Sequence, residues 1–261
     1  MNISVPILMY HEVAPHPLAA FRKYTVTAGA FAAQMKWLAL ARYVPIDFDA
    51  LLRNRRGEAE IPPRSVIITF DDGFRGCVEH AVPILRARGF TAVFFLVVGL
   101  MGQTSRWLYR ERGIELPLLD WQAARELEAA GFQCGAHSLS HPHMAGLPLT
   151  VCRDELLGAR SLLAEHLRHE VRHLAYPYGS FNGHVRALAA ATGYHSACSV
   201  QIGLSDATDD PLALHRVPVT GHDTLLDFVC RLRTAHALGD LLRGQAGGLR
   251  RRLRRLKGTP A

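Results

Sequence analysis

The chain predicts an α/β fold of barrel type, and three observations carry that reading. Apolar, β-branched runs alternate with helical patterns over residues 5–220, as repeated βα units around a mainly parallel sheet require. The runs number about seven, which suits a barrel better than a small open sheet. Each candidate chemical group, namely His11, Asp71-Asp72, His137 and Pro177-Tyr178, falls at the C-terminal end of such a run. That is the face where parallel α/β folds gather their active sites.

The first strand is expected at Val5–Tyr10 and runs into His11. Ala28–Leu40 follows as a helix, with Phe31, Met35 and Leu38 recurring on one face. Val66–Phe70 is β-branched and apolar throughout and ends in Asp71-Asp72-Gly73. Val78–Arg88 has helical spacing and a glycine, Gly89, at its C-cap position. After the strand Thr91–Val98, residues 99–119 form a long polar loop with Trp107 and Tyr109, a length that suits a segment covering a site. Asp120 caps a helix over Trp121–Ala130, which Gly131 terminates. The strand Phe132–Ala136 delivers His137, and His173–Tyr176 delivers Pro177-Tyr178-Gly179. Helices Val151–Leu167 and Val185–Ala191 and strands His195–Val200 and His215–Val219 complete the pattern. No internal repeat or linker interrupts it. Residues 1–225 therefore read as one domain and 226–261 as a helical, basic tail.

Charge separates these two parts. The formal net charge is +7, and residues 241–261 hold seven basic residues (Arg243, Arg250, Arg251, Arg252, Arg254, Arg255 and Lys257) and no acid. The body is formally neutral, which argues against a nucleic-acid-binding domain. Leu249, Leu253 and Leu256 fall at helical spacing among the arginines, a pattern suited to an anionic membrane surface or to a solvated tail. The tail has no interleaved aromatic residues, so nucleic acid is not the expected partner. The five cysteines are scattered and odd in number, which implies no disulfide framework and a reducing compartment. With no secretory leader or membrane-spanning stretch visible, the expected location is the cytoplasm, peripheral at the inner face of the membrane.

Two strings carry the chemistry. Within a strand, adjacent side chains point to opposite faces, so Asp71 and Asp72 could not share a target there. At the strand's end Gly73 permits a turn that lets both converge. In His137-Ser138-Leu139-Ser140-His141 two imidazoles lie four residues apart, and Pro142 disfavours helix at His141, so the pair belongs on a loop. Two histidines and one carboxylate make a divalent-metal site, and the second carboxylate is spare to act as a base.

These motifs, in order and spacing, resemble the polysaccharide deacetylases of carbohydrate esterase family four, with their NodB-type homology domain. The resemblance runs from Leu8-Met9-Tyr10-His11 through Thr69–Gly73, His137–His141 and Tyr176-Pro177-Tyr178-Gly179 to Arg216-Val217-Pro218-Val219. It implies a single-domain, distorted (β/α) barrel of about seven strands. It implies Asp72, His137 and His141 as ligands of a divalent metal, zinc first, with cobalt or nickel as alternatives. Asp71 becomes the general base, and the backbone N–H of Tyr178 a donor to the tetrahedral oxyanion.

Two departures matter. Many members place an arginine beside the base two positions before the proline of the third motif, where this chain has Ala175. Arg216 is the candidate replacement, its alternative being a surface or phosphate-binding arginine. The usual C-terminal histidine is not recognisable. In the permuted poly-N-acetylglucosamine deacetylase branch the corresponding histidine comes from the first strand, which makes His11 the candidate acid. The implied partner is an N-acetylated glycan or lipid-linked saccharide, and the reaction is N-deacetylation. The alternatives are N-deformylation of a lipid-linked sugar, a glycosidase pair of carboxylates, and a catalytically weakened carbohydrate-binding barrel.

Overall fold

The computed structural model describes residues 4–242. Seven parallel strands form its centre: β1 (Ile7–Tyr10), β2 (Ser65–Phe70), β3 (Val93–Leu96), β4 (Gln133–Ala136), β5 (His173–Ala175), β6 (Ser196–Ile202) and β7 (Leu214–Pro218). Around the sheet they run β1-β7-β6-β5-β4-β3-β2. β2 then pairs back onto β1, with Ile7 opposite Ile67 and Tyr10 opposite Phe70, and the barrel closes. All seven expected strands are present, their ends shifted by at most two residues.

The period-two alternation of the strands divides the core in two. Ile7, Ile67, Val93, Phe95, Ala175, Cys198 and Leu214 fill the barrel interior. Leu8, Val66, Ile68, Phe94, Leu174 and Val217 face outward into the layer beneath the helices. The inward row continues upward on each strand, through Thr69 to Asp71 on β2 and from Leu214 to Arg216 on β7. The upper layer of the interior is thus polar while the lower layers are apolar.

The helices are α1 (Ala28–Leu40), α2 (Phe48–Arg55), α3 (Val82–Arg86), α4 (Arg106–Arg112), α5 (Trp121–Ala129), α6 (Leu149–Leu167), α7 (Gly183–Ala191) and α8 (Leu225–Thr234). α1 has the expected bounds, and Thr27 Oγ1 caps it by accepting from the Ala30 N–H at 3.2 Å. Asp120 caps α5 in the same way at 2.8 Å. The helix α2 was not evident in the sequence. Its Phe48 and Leu51 join the interior cluster and plug the lower end of the barrel.

Two expectations are corrected, and the packing of a third segment is added. The helix expected over Val78–Arg88 opens as a π-turn (Cys77–Ala81) and becomes α-helical only at α3. The long loop 99–119 contains α4, whose Trp107 and Leu108 are buried. The start of the expected tail is α8, which packs on α1 with Phe228 and Leu232 buried and Trp37 set edge-on to Phe228 at 6.5 Å. The basic residues from Arg243 onward lie outside the described residues. Among those described, no helix is long and apolar enough to cross a membrane.

Candidate active site

β2 hands over two carboxylates with different geometry. The Asp71 N–H continues the ladder to Tyr10 O at 2.9 Å, so Asp71 keeps the inward direction of Ile67 and Thr69. Asp72 and Gly73 then both adopt φ +73°, the left-handed turn that the glycine allows and aspartate tolerates. The two carboxylates are buried, and the turn sends them to different partners.

Asp71 meets Arg216. The guanidinium is fully buried (0% exposed) and forks onto the carboxylate, with Nη1 to Oδ1 and Nη2 to Oδ2 each at 2.7 Å. Arg216 Nε donates to Ser199 O at 2.8 Å, which fixes the plane of the fork. Burial alone would raise the pKa of Asp71. Arg216, followed by His137, outweighs it and holds the carboxyl below its ordinary value. The place vacated by the usual arginine, Ala175, is packed into the apolar interior. Arg216 therefore reaches Asp71 from the strand at the other side of the closure, and the surface reading of this residue is set aside.

The histidine loop follows β4. Ser138 and His141 both take φ +63°, and His141 N–H donates to Ser138 Oγ at 3.0 Å. With Asp72 and Tyr178 (φ +57°), four of the seven non-glycine residues at positive φ among the described residues surround one site. Each costs roughly 1–3 kcal/mol, so the surrounding structure must enforce the geometry. Glu155 of α6 does much of this. Its Oε2 accepts from the N–H groups of Leu139 (2.8 Å) and Ser140 (2.9 Å), and its Oε1 from Ser140 Oγ at 2.5 Å. Gly99 completes the support, since a Cβ there would stand 2.6 Å from Leu139 O.

Asp72, His137 and His141 offer ligand atoms that all lie within 4.8 Å of one another. Asp72 Oδ1 stands 3.4 Å from His137 Nε2 and 3.1 Å from His141 Nε2. His137 Nδ1 is 2.7 Å from Ala175 O, so this nitrogen carries the proton and donates it. Burial would lower the pKa of His137, but Asp72 and Asp71 raise it, so the pocket favours positive charge opposite the Asp72 carboxylate, a charge that a divalent metal between Asp72 Oδ1 and the two Nε2 atoms would supply. The residues fit a divalent metal.

The remaining walls bring together what the sequence named and what it did not. A cavity of about 540 Å³ is lined by His11, Asp71, Asp72, His137, His141 and Tyr178, and Arg216 lies beneath its floor. Burial, the largest influence, lowers the pKa of His11 despite the raising effect of Asp72 and Asp71. The ring of Tyr178 stacks on His143 at 3.7 Å, and its hydroxyl donates to Glu111. Trp107 stacks on His141 at 4.5 Å and 22°. No sequence motif marked Glu111 or Glu155 for the site, and His143, after Pro142, read as a rim residue or an ordinary loop residue. The spacing of Trp107, Leu108 and Glu111 was the available sign that residues 99–119 hold a helical turn facing the site.

The chain is similar to known proteins in sequence and in fold. Residues 58–197 match the polysaccharide deacetylase family model. The chain is 25% identical over 220 residues to YxkH of Bacillus subtilis, covering 83% of this chain and 72% of that protein. It is also 25% identical over 245 residues to the poly-beta-1,6-N-acetyl-D-glucosamine N-deacetylase of Escherichia coli, covering 82% of this chain and 36% of that protein. The chain thus spans only about a third of that enzyme's length. Among solved structures, the Streptococcus pyogenes deacetylase PplD in complex with acetate aligns with a TM-score of 0.78 at 20% identity, over 89% of this chain and all of that one. IcaB from Ammonifex degensii aligns with a TM-score of 0.73 at 23% identity, over 84% of this chain and 92% of the other. At these identities the two structures speak for the fold.

Proposed function

This chain belongs to the polysaccharide deacetylase family, and from that premise we propose that it removes the N-acetyl group from an N-acetylated amino sugar in a glycan or lipid-linked saccharide. The observation that carries the reading is the buried Asp71–Arg216 fork directly beside the Asp72–His137–His141 cluster. A base and a metal site stand next to each other, each with its own partners.

Asp72, His137 and His141 would hold a divalent metal. Two imidazoles and one carboxylate with an open position suit zinc, and cobalt or nickel suit the same donors. When bound, the metal supplies Lewis-acid polarisation of the acyl oxygen and acidifies water to a pKa of about 7. Asp71 takes the proton of the attacking water. Arg216 keeps it ionised, and the fork occupies one unshared pair on each oxygen while leaving another free. His11 hands a proton to the departing amine. Because burial holds its ring neutral at rest, it must acquire that proton within the turnover. The main-chain N–H of Tyr178 is the proposed donor to the tetrahedral oxygen. N-deformylation would use the same groups.

Two alternatives lose support. A glycosidase needs two carboxyls about 5 Å or more apart across one bond, and here Asp71 is forked by arginine while Asp72 faces two histidines. A weakened binding barrel was suggested by Ala175, yet Arg216 occupies the missing arginine's role beside Asp71. The Arg-rich segment 241–261 is proposed to hold the enzyme at an anionic membrane surface on the cytoplasmic side, which its seven basic residues and spaced leucines support.

The test is release of free amine from N-acetylated and N-formylated oligosaccharides by the zinc- or cobalt-loaded protein. Asp71→Asn should abolish turnover and keep the metal, and His137→Ala should lose the metal. The reverse pattern overturns the assignment.

A further inference from the structure

We propose that Lys23 and Arg112 form an anion subsite at the mouth of the catalytic cavity, so that the substrate carries a phosphate or carboxylate close to the acylated amine. The place of this group beside the reacting centre rests on the deacetylase reading, whereas the binding of an oxyanion does not.

Lys23, Tyr24 and Arg112 line the same cavity as Asp71 and Asp72. Lys23 Nζ lies 5.3 Å from the centre of the Tyr24 ring and Arg112 Cζ 5.1 Å from it. The same ring meets His11 edge-on at 5.1 Å. Two cations from distant parts of the chain are therefore one aromatic ring away from the proposed acid. Each comes on a positioned element. Lys23 belongs to the short helical segment Ala19–Tyr24, whose backbone is pinned where Gly221 N–H donates to Lys23 O at 3.0 Å. A side chain at Gly221 would strike Arg22 O at 2.1 Å, so the contact is close-built. Arg112 ends α4, and its Nη1 reaches Ala20 O at 3.4 Å, which joins the two elements.

The other charges of the cavity are engaged elsewhere. Arg231 is forked onto Asp223 at 2.9 and 3.0 Å, Glu111 accepts from Tyr178, and Asp71 holds Arg216. Asp240 lines the cavity as well. No ion pair joins Lys23 or Arg112 to a carboxylate among the described residues; their contacts are the Tyr24 ring and one carbonyl. A ring face attracts an exposed cation only weakly, and two like charges gathered on it repel. An oxyanion between them offsets that repulsion, and a planar guanidinium with a mobile ammonium suits phosphate or carboxylate oxygens.

The experiment is calorimetric binding to the metal-loaded full chain of three sugars: N-acetylglucosamine 1-phosphate, N-acetylmuramic acid and neutral methyl N-acetylglucosaminide. At least one acidic sugar should bind about tenfold more tightly than the neutral one, the equilibrium equivalent of a charge-assisted contact. The acid that gains identifies phosphate or carboxylate as the group recognised. The advantage should vanish when Lys23→Ala and Arg112→Ala are combined and should survive Lys36→Ala on the exposed face of α1. Equal binding of all three sugars, binding of none, or an advantage that survives the double substitution overturns the subsite. A clear preference for an acidic sugar without release of amine from any substrate leaves the subsite standing and removes the deacetylase reading.

Discussion

Arg216→Met tests the most consequential contact in the site. The substitution removes the fork that holds both oxygens of Asp71 at 2.7 Å and leaves a carboxylate only 3% exposed without its counter-charge. Breaking a buried ion pair on one side costs about 3–5 kcal/mol. Loss of the 2.8 Å bond to Ser199 O adds roughly 1 kcal/mol. The ionisation of Asp71 moves as well. Burial, the largest influence, pushes its pKa up, and Arg216 is the foremost group pulling it down. Without Arg216 the carboxyl titrates higher than in the parent, so the acid limb of the pH–activity profile moves to higher pH. The stability deficit has a defined sign with pH. In the parent the lowered folded value contributes stability above the unfolded value, and this is lost as pH falls through the folded value. With Arg216 gone the variant has less of this contribution to lose, so the two converge toward acid. Urea unfolding near neutral pH measures the loss, and the double variant with Asp71→Asn supplies the cycle. Removing both charges should recover about 2 kcal/mol or more relative to additivity. A single-variant loss below about 1 kcal/mol, or an additive cycle, would refute the coupling of Asp71 to Arg216.

Three further outcomes are expected. Burial, reinforced by Asp72 and Glu79, raises the pKa of Glu12 from 4.5 to about 8. Its contribution is full below the unfolded value and lost as pH climbs through the folded one, so stability falls across that window by at most roughly 1.4 kcal/mol per pH unit. Glu12→Gln should flatten the slope in thermal melts, and an unchanged slope counts against the buried acid. Glu155→Ala frees the backbone of Leu139 and Ser140 and should weaken metal affinity roughly 10–100-fold in chelator competition; an unchanged affinity means the loop holds itself. The full chain should sediment with anionic vesicles at low salt and lose that binding when residues 243–261 are removed, whereas a full chain that stays in solution removes the membrane proposal.

Much of the fold and part of the site were legible because they are local. Apolar periodicity reports burial residue by residue, and it marked all seven barrel strands and the bounds of α1. The Asp-Asp-Gly turn and the two histidines are also local, since a strand end, a glycine and a proline decide which way they can face. The sequence by itself therefore determined the strands, the parallel class and the three residues of the candidate metal cluster. It did not determine who supports that cluster. Glu155 binds the histidine loop from 15 and 16 residues away along the chain. Nothing in the pattern of α6 distinguishes this acid from a solvated one. Residues 99–119 read as polar loop because the seven residues of α4 span only about two turns, too few to establish a period, yet tertiary packing turns Trp107 onto His141. Arg216 is the sharpest case. Its sequence context left a catalytic and a surface reading open, and its partner lies 145 positions away. Only barrel closure, which sets β7 and β2 on either side of β1 with both inward rows rising to one layer, brings the guanidinium onto Asp71.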